Sequence, residues 1–267
     1  MLSQLVIINT LRCNFKCAHC IRGYPEERSD FPMELLPKLL MEARPFGAKH
    51  VALTGGEPFL HPQFTEMVET IVSAGYTWHF VSNGWETKAY LPLLEKHGES
   101  VSHVALSLDG ATPEIHDAIR GRSGSFERVM QATKVYGEMG ISILWNVCLN
   151  NQNMHQLEDI IQLAEKFEIS MMNIMGTNPT PWNTDLVLTD DESQALSDQV
   201  LALRDESKVK IATRSSLRAG SGINFCRQLW LRELSINTNG EIIVSVQGGG
   251  TKLCHYSNVL LRKEWCN

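Results

Sequence analysis

The chain has 267 residues, 43% of them hydrophobic and 20% charged, with a formal net charge of −6. This suits one large domain, or one domain with a small appendage, and the absence of a Lys/Arg cluster excludes a groove for bulk DNA or RNA. No run approaches the ~18 apolar residues of a membrane span, and the first ten residues lack the basic and apolar regions of an export signal, so a cytoplasmic, membrane-free protein is expected.

The first apolar run, residues 5–8, leads into Cys13-Asn14-Phe15-Lys16-Cys17-Ala18-His19-Cys20. Three thiolates on one loop leaving a strand can hold three irons of a [4Fe-4S] cluster, whose full protein ligation takes four cysteines. The next cysteine is Cys148, so one iron would stay open for chemistry. A closed zinc site takes four ligands in paired groups, and His19 cannot easily join the same metal as both Cys17 and Cys20. A redox pair of Cys17 and Cys20 would leave Cys13 without a role. Seven cysteines, an odd number grouped toward the two ends, favour metal binding over disulfides.

Strand-like runs then alternate with helical patterns. Residues 33–43, 63–73, 88–96, 126–138, 155–167 and 190–203 read as helices; residues 5–8, 51–53, 78–81, 104–108, 141–149 and 169–174 read as strands. Six β-α repeats predict an α/β fold with a parallel sheet and right-handed crossovers, and with active residues at the carboxyl ends of the strands. Periodicity alone leaves a partial barrel and an open doubly wound sheet equally available.

The strand ends carry the expected polar groups. Thr54-Gly55-Gly56-Glu57 closes the second strand, with glycines that permit close backbone approach to a ligand and a carboxylate acceptor. Ser82-Asn83-Gly84 closes the third and Ser107-Leu108-Asp109-Gly110 the fourth, where ordinary turn chemistry is the alternative reading. His116-Asp117-Ala118-Ile119-Arg120-Gly121 follows as a loop. In strand five, alternation puts Asn146 and Cys148 on the inner face, and Trp145 and Val147 toward the helices; inert packing is the plainer reading of Cys148.

Together these motifs resemble the radical S-adenosylmethionine (SAM) superfamily. The resemblance implies a partial (β/α)6 barrel open on one side, with SAM chelating the open iron. His19 stands where that pattern has an aromatic residue before the last cysteine. Gly55, Gly56 and Glu57, with Thr54, match the Gly-Gly-Glu motif that meets the SAM amino group. Ser82, Asn83, Ser107 and Asp109 are assigned to ribose and methionine, Arg120 to the SAM carboxylate, and Asn146 joins the cofactor-binding candidates. Cleavage of SAM would then yield a 5′-deoxyadenosyl radical that takes hydrogen from a substrate.

The last sixty residues change character. Short β-rich runs at 234–237 and 241–246 flank Asn239-Gly240, a hairpin signal. Cys226, Cys254 and Cys266 resemble a SPASM or shorter twitch extension, giving residues 1–208 as barrel and 209–267 as a hairpin-containing extension. Ser245 stands where that module has a cysteine, and the chain stops at Asn267, so the resemblance leaves two readings: one auxiliary iron–sulfur cluster on these three cysteines and an outside ligand, or none.

The expected substrate is a small natural product or metabolite, sugar- or aminocyclitol-like, undergoing oxidation or epimerisation. A ribosomally made peptide is the alternative, with cross-linking as a further outcome. A non-catalytic iron–sulfur or zinc protein is the rival from another class. An electron donor such as flavodoxin or ferredoxin is the expected protein partner. If the product is epimerised, Cys254 and Cys148 are the candidate catalytic thiols that would return a hydrogen atom.

Overall fold

Alternation along the strands builds the sheet. Strands β1 (Gln4–Thr10), β2 (His50–Gly55), β3 (Thr77–Ser82), β4 (Val101–Ser107), β5 (Ile143–Leu149) and β6 (Met171–Gly176) run parallel and adjacent in that order. Leu5 and Ile7, Val51 and Leu53, Trp78 and Phe80, Val104 and Leu106, Trp145 and Val147 all point to one face and join one buried core. The helices that cover this face are α1 (Leu36–Ala43), α2 (Phe64–Ser73), α3 (Thr87–His97), α5 (Ser125–Glu138), α6 (Leu157–Lys166) and α7 (Asp190–Glu206), while α4 (Pro113–Arg120) packs on α5. The two large indoles are buried with their N–H groups satisfied: Trp78 donates to Ser100 Oγ (3.0 Å) and Trp145 to Thr133 Oγ1 (3.2 Å). The computed structural model describes residues 2–23, 29–213, 233–243 and 252–255.

The sheet does not close. It continues past β6 into β7 (Lys210–Thr213), and on the other side of β1 it gains β8 (Glu233–Ile236), β9 (Glu241–Ile243) and β10 (Lys252–His255). β8 lies parallel to β1, whereas β9 and β10 run antiparallel to their neighbours. The ten-stranded order therefore has β7 and β10 as edges. This is the mostly parallel α/β sheet of a partial barrel, open on one side. Strand β7 extends the six predicted strands; it is only four residues long, too short to stand out as a periodic run. The hairpin turn forms where Asn239-Gly240 predicts it: Asn237 Oδ1 accepts the N–H groups of Asn239 (3.0 Å) and Glu241 (2.8 Å), and Gly240 takes φ 73°.

One segment differs in kind from the sequence reading. Residues 113–120 form a helix, not a loop. Pro113 occupies the first turn, where its missing N–H is no loss, and Gly121 ends the helix in the left-handed region at φ 62°. These bracketing residues read as turn signals, and the eight helical residues between them are too few for a clear period. The helix delivers Asp117 to the start of α5, where its carboxylate accepts from Gly124 N (2.6 Å), Phe126 N (2.8 Å) and Ser125 Oγ (2.8 Å). Burial acts to raise its pKa, but these hydrogen bonds prevail and hold it below the ordinary carboxylate value.

The polar face of the sheet has two unlike ends. At the amino ends of the strands His50, His79 and His103 stack in a row across β2, β3 and β4, with ring centroids 4.8 and 4.1 Å apart. The carboxyl ends hold the motifs of the sequence reading. Among the described residues no helix is long and apolar enough to cross a membrane.

Asp117 supplies the acceptors that the first turn of α5 lacks. Asp117→Ala is expected to cost about 1–2 kcal/mol of stability, the range of a lost helix cap, read as a lowered midpoint in urea unfolding; an unchanged midpoint would mean that solvent replaces the carboxylate without loss.

Candidate active site

The cysteine loop is held to the strand ends by its backbone. β1 ends at Thr10, whose hydroxyl donates to Asp30 Oδ1 (2.6 Å) and accepts from Arg12 N–H (3.0 Å). Gly56 N–H then donates to Thr10 O (2.7 Å) and Glu57 N–H to Arg12 O (2.7 Å). A Cβ on Gly55 would stand 2.2 Å from Thr10 O, and one on Gly56 2.1 Å from Arg12 O. The close approach that these glycines permit is thus made by the cysteine loop itself. On the far side Ala18 N–H donates to Ile119 O (2.8 Å), and a Cβ on Gly121 would meet Lys16 O at 2.3 Å. From the loop after β6, Trp182 donates its indole N–H to Cys20 O (2.8 Å) and Asn183 reaches His19 O (3.5 Å).

Cys13, Cys17 and Cys20 stand half-buried on this loop and are not joined in a disulfide. Burial pushes the Cys13 thiol up to about 12 despite the Phe15 N–H on its sulfur, and burial also raises Cys17, against the pull of the Arg120 guanidinium.

Glu57 is buried between β2 and β3. Its carboxylate accepts from Ser82 Oγ (2.9 Å) and Asn83 N–H (2.8 Å), and burial lifts its pKa to about 7 against these bonds. Asn83 donates in turn to Asn14 Oδ1 (2.8 Å), inside the cysteine loop. Glu57, Ser82 and Asn83 therefore form one network that braces the loop. Thr54 and Ser107 lie on the same inner face, opposite in parity to the core residues Leu53 and Leu106.

Asp109 is the centre of a second network. Its Oδ1 accepts Cys148 N–H (2.8 Å), its own N–H donates to His116 Nδ1 (3.1 Å), and its carbonyl accepts from Asn153 Nδ2 (2.8 Å). Its Oδ2 lies 2.7 Å from Arg120 Nε and 3.6 Å from His19 Nε2. The Arg120 N–H is not aimed at that oxygen, so the contact is charge against charge rather than a hydrogen bond. Burial acts to raise the Asp109 pKa, but the Arg120 charge holds it below the ordinary range. Burial, with Arg120 nearby, pushes His116 down to about 3, so its ring is neutral. Arg120 also reaches Cys17 Sγ (3.8 Å), which ties this network to the cysteine loop.

On strand β5, Asn146 accepts from Asn173 Nδ2 (3.1 Å) and Cys148 Sγ lies 3.4 Å from Thr177 Oγ1, as inner-face parity predicts. Burial raises the Cys148 thiol to about 12. Cys254 lies in β10, in register with Ile242. Cys226 and Cys266, like Ser245, fall outside the described residues. The sequence reading gave no role to His116, Asn153, Thr177 or Trp182. Two of them carried a signal: His116 opens the motif that ends in Arg120-Gly121, and Asn153 ends the polar run Asn150-Asn151-Gln152-Asn153.

These residues fit an iron–sulfur cluster with SAM beside it. The donor set is three thiols on one loop, with a guanidinium facing one sulfur. Among the described residues no three His, Cys, Asp or Glu side chains converge as a mononuclear ion requires; a cubane takes each thiolate on its own iron. Beside the loop, His19 Nδ1 is buried without a hydrogen-bond partner, and Asp109 Oδ2 and Arg120 Nε meet as charges without one. Unsatisfied buried groups are uncommon in folded proteins, and a polar ligand at this place would supply the missing hydrogen bonds.

The glycine contacts give a direct test. Gly56→Ala is expected to leave a folded chain whose cysteine loop is displaced, with iron content after anaerobic reconstitution reduced by half or more. Full iron loading in the folded variant would mean that the loop does not depend on this contact.

The fold is shared with solved structures. The chain matches Streptococcus suis SuiB bound to S-adenosylmethionine with a TM-score of 0.80, over 98% of this chain and 65% of that one, at 19% identity. Among curated proteins it is 31% identical over 155 residues to the antilisterial bacteriocin subtilosin biosynthesis protein AlbA of Bacillus subtilis, covering 57% of this chain and 34% of AlbA. It is 30% identical over 187 residues to the PqqA peptide cyclase of Ruegeria pomeroyi, covering 69% and 48%. It is 25% identical over 262 residues to the AdoMet-dependent heme synthase of Methanosarcina barkeri, covering 94% and 72%. The chain thus spans a third to a half of the length of AlbA and the cyclase. The radical SAM superfamily model matches residues 7–164, more than half of the chain and the whole stretch from β1 into α6 that carries both networks, and the chain belongs to that superfamily.

Proposed function

We propose that this radical SAM enzyme modifies a ribosomally made peptide. The observation that carries this reading is kinship: two relatives at 30% identity or more are named for a bacteriocin and for a peptide substrate. It replaces the sugar- or aminocyclitol-like metabolite expected from the sequence. The heme synthase, aligned over 94% of the chain, supports a second reading in which the substrate is a small molecule.

The cofactors of the superfamily are a [4Fe-4S] cluster and SAM. Cys13, Cys17 and Cys20 would hold the cluster, which when reduced supplies the electron that splits SAM into methionine and a 5′-deoxyadenosyl radical. The chain's own residues position and enclose. Arg120 offers its Nε, now facing Asp109 without a hydrogen bond, to the SAM carboxylate. Asp109 holds Arg120 in the inward direction and is itself fixed by His116 and Asn153. His19, Thr54, Ser107 and Asn146 line the path from the cysteine loop across the inner face. Gly55, Gly56, Glu57, Ser82 and Asn83 fix the loop against the strand ends. Cys148 keeps its S–H at neutral pH because burial disfavours the thiolate. It is the inner-face thiol that can return a hydrogen atom if the outcome is epimerisation; oxidation and cross-linking do not need it.

Two outcomes test this. After anaerobic reconstitution, replacing Cys13, Cys17 and Cys20 together by Ala should abolish the visible iron–sulfur absorption of this site and all formation of 5′-deoxyadenosine. With the intact enzyme, a precursor peptide encoded beside its gene should change in mass as 5′-deoxyadenosine accumulates; turnover stimulated by tetrapyrroles or sugars and by no peptide would overturn the peptide reading.

Arg120→Ala should weaken SAM binding by about tenfold or more at unchanged iron content, the effect of losing one charge-assisted contact. An unchanged dissociation constant would confine Arg120 to its pairing with Asp109.

A further inference from the structure

Cleavage of SAM consumes one electron in each event, and it must enter from outside through the protein surface nearest the cysteine loop. That surface has a distinct character. Phe15, between Cys13 and Cys17, sets its ring edge-on against Trp85, with centroids 5.7 Å apart at 80°. Trp85 is at the same time overlaid by two guanidinium groups, Arg122 at 4.3 Å and Arg128 at 5.1 Å from its ring centre. Lys16 follows Phe15 in the chain, and its carbonyl packs on Gly121, the residue before Arg122. A chain of net charge −6 thus sets two guanidiniums over one indole beside its cysteine loop, with the exposed Lys16 in the loop itself.

Among the described residues neither Lys16, Arg122 nor Arg128 takes part in an ion pair. Of the carboxylates nearest in sequence, Glu86 accepts from Asn14 at 3.4 Å, and Asp117 is occupied by Gly124, Ser125 and Phe126; Glu127 is exposed. Two guanidiniums on one ring repel each other. The quadrupole of the indole favours a cation over its face and offsets part of that repulsion. Arg122 is exposed, and Trp85 and Arg128 are half-buried.

We propose that Trp85, Arg122, Arg128 and Lys16 form the docking surface for a small acidic electron-carrier protein. The carrier's reduced cofactor would give up one electron and leave one-electron oxidised, and the cluster that Cys13, Cys17 and Cys20 would hold would take that electron up. Opposite charge steers the encounter and sets orientation, while the indole supplies an apolar contact at the centre. The inference rests on the chain's membership of the radical SAM superfamily and is independent of which substrate it modifies.

The test uses reduced flavodoxin as the carrier. Its binding to the wild-type enzyme, followed by calorimetry, should weaken steeply as ionic strength rises. The double charge reversal R122E/R128E should weaken it by about tenfold or more at low salt and flatten the salt dependence. Flavodoxin-driven formation of 5′-deoxyadenosine should fall in parallel, while iron content and dithionite-driven formation stay as in the wild type. The single exposed change Arg122→Glu, which touches no buried group, should give an intermediate loss. Equal flavodoxin binding by wild type and both variants, or no salt-sensitive binding by the wild type, would overturn the proposal. Failure of the wild type to cleave SAM even with dithionite would instead count against the functional reading, with the binding titration still deciding the docking surface.

Discussion

Asp109 is a fully buried carboxylate, and a charge in that position persists only if its surroundings supply opposite charge and hydrogen bonds. Each partner it gathers comes from a different element: Arg120 from the end of α4, Cys148 N–H from β5, Asn153 from the turn after β5, and His19 from the cysteine loop. The carboxylate therefore acts as a common anchor for the loop and the fourth and fifth strand ends. Removing one partner would leave the others facing an uncompensated charge. The neutral ring of His116 fits the same requirement, because it accepts the Asp109 N–H and adds no second cation beside Arg120.

The brace on the other side of the loop works without charge pairing. Glu57 is satisfied by a hydroxyl and an amide, and its raised pKa shows that burial outweighs those bonds. Gly55 and Gly56 contribute through the absence of a side chain. Their amide region touches the loop at carbonyl contacts that no Cβ could share. One side of the loop is thus fixed by electrostatics and the other by steric fit, with the apolar outer face of the sheet as a rigid base beneath both. This arrangement leaves the thiols half-exposed while their backbone is tied down at Ala18, Cys20 and residues 10–12.

The parallel sheet, the strand ends and the cysteine loop were legible in the sequence because each rests on a local signal: an apolar run, a glycine pair, a cysteine spacing. Trp145 and Asn146 fell on opposite faces as their parity required. Helix α4 was not legible, because Pro113 and Gly121 cap a helix with the same residues that make a turn. Strand β7 is too short to register as a pattern. The partners of the site residues were hidden for a different reason. Trp182 meets Cys20 across 162 positions, and Asn153 meets Asp109 across 44, and nothing in a single sequence encodes contacts at such separations. The expectation of a sugar-like substrate rested on no side chain that could recognise one; kinship to proteins named for a bacteriocin and a peptide outweighs it.

The segment Arg120-Gly121-Arg122 condenses how the loop serves two sides at once. Arg120 is nine-tenths buried against Asp109 and Cys17, whereas Arg122, two residues on, is exposed over Trp85. The change of direction happens at Gly121, whose positive φ reverses the chain and whose missing Cβ lets it sit on the Lys16 carbonyl. Any other residue there would be strained in conformation and would also push the loop away. A single glycine thus permits one arginine to face the inner networks and the next to face solvent, with the cysteine loop between them.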